Sequence, residues 1–479
     1  MNSTFFKGVS RALLISAGLA FPLLTGCMVG PNYVRPQVPA PPAYRGADNS
    51  AVSSANQNSL GDENFAKVFH EPELQELIRT ALVNNYDVRI AAKRVLEAQA
   101  QLRVTRSQEF PTVSLGGTGI GADLGSSSTS SLGSTFPSGP IAYGNFNVSA
   151  AWHPDFWGLY RRQTEAQRAQ MLSQVWAQRA VRMTLVQQVA TGYFQLRAYH
   201  EQLAIAKETL KDRQESVALT QKLVDGGENP LSDLRQAEEN EYTASAQIPQ
   251  LEQQIQQQEN ALRLLLGENP GPVAATDPNA LAPVPQNLPV GLPSRLLERR
   301  PDILEAEQQL VEANANIGVA RAKMFPQLSI SISGGEGGSN WSQVFDPDSG
   351  LIYGIGKLTQ PIFEGGKLRG QLQLSEATKE EMVLNYRKTI ITAFQQASNA
   401  LIAVNKQRAG REQQDKLVAA AADAARLANL QFQAGSTSYL QVLTTDATLF
   451  SAQLNLVTLQ DGEAQSLVQL YAALGGGWE

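Results

Sequence analysis

The chain has 479 residues, with 45 acidic side chains against 39 Lys or Arg, a net charge of −6. It is 42% hydrophobic and only 18% charged, which argues against a nucleic-acid binder, since phosphates demand a basic face. One cysteine allows no internal disulfide and no Cys-rich zinc site, and His70, His153 and His200 lack metal-ligand spacing.

The chain opens on Lys7 and Arg11, then an apolar stretch from Ala12 to Leu24, then Leu24-Thr25-Gly26-Cys27. A basic start, an apolar middle too short to span a bilayer and small residues before a break describe a secretory signal over residues 1–26. The tetrapeptide looks like a bacterial lipoprotein box, which implies that Cys27 becomes the mature N-terminus and carries three acyl chains. At about 0.8 kcal/mol per buried CH₂, three chains hold a protein firmly. Residue 28 is Met, not the aspartate that resembles an inner-membrane retention signal, so the outer membrane is the expected destination. Residues 27–70, with Pro39-Ala40-Pro41-Pro42 among them, read as an extended tether with little structure of its own, letting the lipid sit away from the body. Beyond it no run approaches eighteen apolar residues, so no transmembrane helix is expected.

The rest is written twice. Leu77–Leu115 lies over Leu292–Ile330 at a constant offset of 215, with Phe110-Pro111 on Phe325-Pro326. Pro154, Phe156 and Gly158 match Pro361, Phe363 and Gly365; Gly226 and Leu234 match Gly435 and Leu443; Leu266-Gly267 matches Leu474-Gly475. A duplicated unit over 71–267 and 295–475 follows, with a linker over 268–294 and a tail over 476–479.

Each unit repeats one order of patterns. A helical stretch (Ala81–Glu109; Pro301–Met324) ends at the Phe-Pro pair. Period-two alternation follows, Val113 and Leu115 in one unit, Leu328, Ile330 and Ile332 against Ser329, Ser331 and Ser333 in the other. Gly/Ser-rich loops are expected at Gly116–Ala142 and Gly334–Gly350. Alternation resumes with Phe146, Val148, Ala150 and Trp152 and, less cleanly, over Ile352–Gln360. A very long helix then starts. In the first unit it runs from Trp157 to Val224, where Val189, Leu196, Leu203, Leu210, Val217 and Val224 recur by sevens, as do Ile390, Ala397 and Val404, then Val418, Ala425 and Phe432, with Arg411 interrupting, in the second. At 1.5 Å per residue the first of these helices is roughly 100 Å long. After turns at 225–230 and 434–438, returning helices run over Leu231–Leu266 and Leu440–Leu474.

Strands of about ten residues are the length of membrane-barrel strands. Four cannot close a barrel, and lipid does not tolerate open edges, so the chain is expected to oligomerise, giving eight strands as a dimer or twelve as a trimer. Tyr143, Phe146, Trp152, Trp157 and Tyr353 suit an interfacial aromatic girdle. Short hairpins capping a soluble coiled coil are the alternative.

These residues resemble the TolC superfamily of outer-membrane efflux factors, in its OprM-like lipoprotein branch. The resemblance runs from Cys27 to the C-terminus, through Gly30-Pro31-Asn32-Tyr33-Val34-Arg35-Pro36, Arg299-Arg300-Pro301-Asp302-Ile303, Gln360-Pro361-Ile362-Phe363-Glu364-Gly365-Gly366, Ala434-Gly435 with Ser438-Tyr439-Leu440, and the terminal Gly475-Gly476-Gly477-Trp478. It implies an α+β membrane protein that forms, as a homotrimer, a twelve-stranded β-barrel joined to a twelve-helix α-barrel. It implies a passive duct for small toxic compounds, docked on a periplasmic adaptor and an inner-membrane RND-type pump. No enzyme activity, nucleic acid, metal or cofactor beyond the Cys27 lipid is expected. A duct for secreted protein and a non-conducting coiled-coil envelope lipoprotein are the rival functions.

The resemblance also implies a gate at the helical tips, built of a leucine and aspartates. Leu440 matches the leucine and Asp233 a first-repeat aspartate, whereas Gln441 and Thr444 stand where second-repeat aspartates belong. The candidate gate is therefore Leu440, Asp233, Asp225 and Thr444, with Asp446 a doubtful substitute some 200° further around its helix. Gly226, Gly227, Gly435 and Ser436 are the candidate adaptor contacts. Gly365-Gly366-Lys367 lacks the spacing and hydroxyl of a phosphate loop, and Lys357 spoils a calcium loop at Asp346-Pro347-Asp348.

Overall fold

Proline and glycine set the element boundaries in the computed structural model, which describes residues 28–46, 59–124, 139–273, 288–338 and 350–478. Cys27 and the Asp346-Pro347-Asp348 run lie outside the described residues. The main elements are α1 (Pro72–Asn84), α2 (Tyr86–Ser107), β1 (Thr112–Leu124), β2 (Gly139–Trp152), α3 (Leu159–Asp225) and α4 (Leu231–Leu265). The same order then recurs as α5 (Pro301–Ala322), β3 (Gln327–Gly338), β4 (Gly350–Thr359), α6 (Lys367–Gln433) and α7 (Tyr439–Ala473). Both long helices, α3 and α6, contain 67 residues.

Two expectations need correcting at this level. The first helix does not run unbroken from Ala81. Asn85 is extended, ends α1 and starts α2, its Oδ1 accepting from the Asp87 and Val88 amides at 2.8 and 3.2 Å while its Nδ2 donates to the Leu265 carbonyl. The glycine-rich segments are also not all loop. Gly116–Leu124 and Gly139–Ala142 continue β1 and β2, and Gly334–Gly338 continues β3. Glycine carries no side chain to show alternation, yet its backbone pairs like any other. At Gly335 the pairing demands it: a Cβ there would lie 2.2 Å from the Phe146 carbonyl oxygen.

The four strands form one antiparallel sheet in the order β1-β2-β3-β4. Cross-strand partners share a face, so Val113, Leu115, Val148, Ala150, Ile330 and Ile332 line one side, while Ser114, Asn147, Ser149, Ser331 and Ser333 line the other. The Ser114 and Ser149 hydroxyls meet at 2.8 Å on the polar side. β4 breaks the rule, with Ile352 and Leu358 on the apolar side but Leu351, Tyr353 and Ile355 on the polar one. Its imperfect alternation in the sequence is thus a real property of the strand.

The chain divides into two compact units, each drawn from both halves of the sequence. The first, Met1–Pro36, Leu96–Ser173 and Glu307–Leu384, contains the sheet. The second, Gln37–Val95, Gln174–Ala306 and Asn385–Glu479, contains the main hydrophobic core. There the expected heptad positions Val189, Ala397 and Val404 are fully buried together with Tyr471, and the heptad position Ile390 is fully buried outside that core. Arg411, the interruption, has a partner: with Arg408 it holds Glu463, which is 3% exposed, at 2.6 and 3.1 Å.

The stretch read as a tether is irregular from 28 to 46 but does not hang free. Tyr44 is buried in the main core, and residues 60–62 and 65–68 form helical turns whose Leu60, Phe65 and Val68 enter it with Phe69. Phe69 meets the ring of Tyr471 edge-on at 5.6 Å.

Candidate gate and anchoring arm

Each long helix ends in a glycine turn. Gly227 and Gly435 take positive φ, 76° and 68°, and the amides of Glu228 and Ser436 reach back to the Leu223 and Gln431 carbonyls, closing the helix ends. A Cβ on either glycine would meet nothing within 4 Å, so backbone conformation alone selects glycine there. The structural counterpart of Gly435 is thus Gly227, not Gly226, which the sequence match had paired with it. Gly226, Gly227, Gly435 and Ser436 are all exposed.

The candidate gate residues separate into two groups. Leu440, 56% exposed, and Thr444 lie one turn apart on α7, the Thr444 hydroxyl donating to the Leu440 carbonyl at 2.8 Å. They line an open groove of about 670 Å³ together with Thr448 and Ser451 of α7 and Gln236 and Asn240 of α4. Asp233 and Asp225 do not line it. Asp233 sits in the first turn of α4, where the helix dipole favours a carboxylate, with the Ser232 hydroxyl at 3.4 Å. Asp225 is exposed and accepts from Gln221 at 2.7 Å.

Asp446 is committed elsewhere. Its Oδ2 accepts from Nε of Arg213 at 2.8 Å, and that buried guanidinium also donates to the Asn240 carbonyl and lies 4.9 Å from the Phe450 ring centre. Sequence reasoning missed Arg213, whose only signal is a basic residue inside the α3 seam between Leu210 and Val217.

Residues 29–32 of the arm that follows Cys27 gather on one arginine. Arg162, 1% exposed, donates to the Val29 and Gly30 carbonyls at 3.3 Å and to Oδ1 of Asn32 at 2.9 Å, and pairs with Glu165 at 2.6 Å. Asn314 donates to the Pro31 carbonyl, and Tyr33 and Arg35 both reach Glu307. Gly30 lies on Gly318 so closely that a Cβ would come within 2.5 Å of the Gly318 Cα. Met28, covalently next to Cys27, packs against Gly158, and the neighbouring Trp157 stacks on Phe325 at 4.8 Å. The arm is therefore docked from its first described residue. Of the proposed aromatic girdle, Phe146 and Tyr353 are exposed, Trp152 donates to the Glu109 carbonyl, and Tyr143 is described only as a backbone position in β2.

Burial pushes the Asp461 carboxyl up to about 6, against the opposing pull of a hydrogen bond from Gln465. Among the described residues no group of three His, Cys, Asp or Glu side chains is placed to hold a metal, and no helix is long and apolar enough to cross a membrane.

A sheet with one apolar, exposed face, carried on the same chain as paired 67-residue helices, defines a membrane protein of the α+β class. The chain belongs to the outer membrane efflux protein family, which it matches over residues 77–268 and 292–476. It is 35% identical over 456 residues to the cation efflux system protein CusC of Escherichia coli strain K12, covering 95% of this chain and 97% of that one. A crystal structure of CusC, described in terms of transmembrane channel formation, superposes with a TM-score of 0.81 at 31% identity, over 94% of this chain and all of the other. The toluene efflux pump outer membrane protein TtgC of Pseudomonas putida is 35% identical, over 98% of this chain and 96% of that one. The probable outer membrane lipoprotein SilC of Salmonella typhimurium is 32% identical, over 97% and 98%. The protein is an outer-membrane efflux protein, and its family members are channels.

Proposed function

We propose that three copies of the chain complete a twelve-stranded barrel and a twelve-helix α-barrel, forming a passive exit duct that a periplasmic adaptor couples to an inner-membrane RND-type pump. The observation that carries this reading is the sheet: its apolar side is solvent-exposed, and β1 and β4 each lack a second neighbouring strand among the described residues. Lipid contact suits the first property, and only closure with further copies removes the second. Cys27 carries the lipid, after removal of 1–26; the name of SilC, a lipoprotein, and the docking of Met28 support that anchor. Leu440 and Thr444 form the apolar and polar parts of the gate, with Asp233 and Asp225 adding charge beside it. Gly226, Gly227, Gly435 and Ser436 form the adaptor-facing tips. The repeats, 71–267 and 295–475, supply equal shares of wall. Relatives named for cations and for toluene share this architecture, so cargo is chosen by the pump.

Single-channel recording in planar bilayers tests this reading. The purified protein is expected to conduct, rarely and in small steps, and Leu440→Ala with Asp233→Ala is expected to raise open probability and antibiotic entry into cells. A protein of three-copy mass that never conducts would overturn the duct. A variant that leaks no more than its parent would remove Leu440 and Asp233 from the gate.

A further inference from the structure

Resting on the trimer reading, the duplication supplies what that reading leaves open, the register of the joint between copies. β1 pairs with β2 as Thr112↔Ala151, and β3 with β4 as Gln327↔Thr359. The second pair of strands is thus the first moved by 327 − 112 = 215 and 359 − 151 = 208. The Pro361 and Pro154 that follow the strands differ by only 207, so one residue is lost between strand and helix in the second repeat. The joint that leads from the first repeat to the second is β2–β3, with Ala150↔Ile332 and Ser149↔Ser333. Its counterpart, leading from the second repeat to the first repeat of the next copy, is β4–β1. All strands alternate in direction, so β4 meets a neighbouring β1 antiparallel, like every joint within the sheet.

We infer that β4 of one copy pairs with β1 of a second copy in the register Leu358↔Gly117 and Lys357↔Thr118, the β2–β3 register carried through the repeat. The register keeps the sides of the sheet, as the pairings it is built from require, and one feature that was not used to build it agrees with it. Even-numbered β4 residues and odd-numbered β1 residues occupy the apolar side, and the register joins them side to side. It also answers the irregularity of β4. Leu351, Tyr353 and Ile355, the apolar run on the otherwise Ser- and Asn-rich side, fall opposite register positions Leu124, Ala122 and Ile120 of the second copy. Sliding the joint by two residues keeps the sides but breaks this match, setting Ile355 opposite Thr118 in one direction and carrying Leu351 past the end of β1 in the other.

Disulfide trapping reads the register directly. Cα atoms of cross-strand partners lie about 4.5–5.5 Å apart, within disulfide reach, whereas a slide of two residues adds about 6.8 Å along the strand and takes them out of it. The pairs L358C with G117C and K357C with T118C cover both the hydrogen-bonded and the non-bonded kind of partner. Each variant is first weighed in detergent by light scattering, then oxidised with copper phenanthroline and run without reductant beside its single-cysteine controls. The expected result is a particle of three-chain mass that yields covalent dimers and trimers for one or both of these pairs. No covalent species are expected for L358C with L115C or L358C with G119C. A three-chain particle that cross-links at a displaced pair, or at none, would overturn the register and leave the trimer standing. A particle of one-chain mass would overturn the trimer itself.

Discussion

Arg162 shows how one side chain fastens a whole segment. Its guanidinium is out of water, and three of its partners are polar groups of residues 29–32. Arg162→Met keeps much of the stem volume and strands those acceptors, a loss of about 2–4 kcal/mol. The expected outcome is an arm cut by added protease within residues 28–36 while the helices stay intact, followed by mass spectrometry of the fragments. Nothing in the sequence marked this residue: it stands at the start of a long helix, and its partners lie some 130 residues away. Asp461 makes a second case. An acid whose carboxyl is raised from 3.8 to about 6 by burial favours the folded protein when protonated. Its ionisation therefore costs nothing below pH 3.8, costs progressively more as pH rises, and reaches its full penalty above about pH 6, at most about 3 kcal/mol. Asp461→Asn is expected to raise the urea midpoint at pH 7.5 and to give no gain at pH 3.5.

Among the elements, the strands show where pattern reading stops. Alternation was legible wherever side chains alternate, as in Leu328 to Ser333, and silent through Gly116-Gly117 and Gly334-Gly335, where the ladder continues unseen. The helices were easier, because a heptad repeat over tens of residues outweighs single departures such as Arg411. The break at Asn85 escaped, since an asparagine inside a periodic run announces a cap only when its hydrogen bonds are known. Gly335 gives the element-level prediction. Gly335→Ala drives a methyl against the Phe146 carbonyl and the Asn147 Cα, 2.2 and 2.7 Å away, so β2 and β3 must part. The loss is at least about 1–3 kcal/mol. Gly356→Ala, whose Cβ meets nothing within 4 Å, is the matched control. Heat-stable oligomer on gels is expected to disappear for the first and persist for the second.

At the scale of the whole molecule, the duplication was legible because it is carried by residues that terminate elements, the Phe-Pro pairs, the turn glycines and Leu-Gly ends. What duplication hides is how the two copies interleave. Each compact unit takes stretches from both halves, and no local pattern encodes that exchange. Of the proposed gate residues, Leu440 and Thr444 line one groove, one turn apart on α7, whereas the engagement of Asp446 by Arg213 depends on a contact across 233 positions that no local pattern encodes.

The main core joins Leu60, Phe69 and Leu74 to Leu467, Tyr471 and Leu474, and the Tyr471 hydroxyl closes on the Glu63 carbonyl. Such distant pairings form late, after the entropy of a long loop has been spent. A polypeptide threaded head first through an export pore cannot finish this core while its tail is still on the far side. The apolar side chains of Leu60, Phe65, Phe69 and Leu74 must wait uncovered for nearly the entire chain to arrive, an interval in which such surface is open to aggregation.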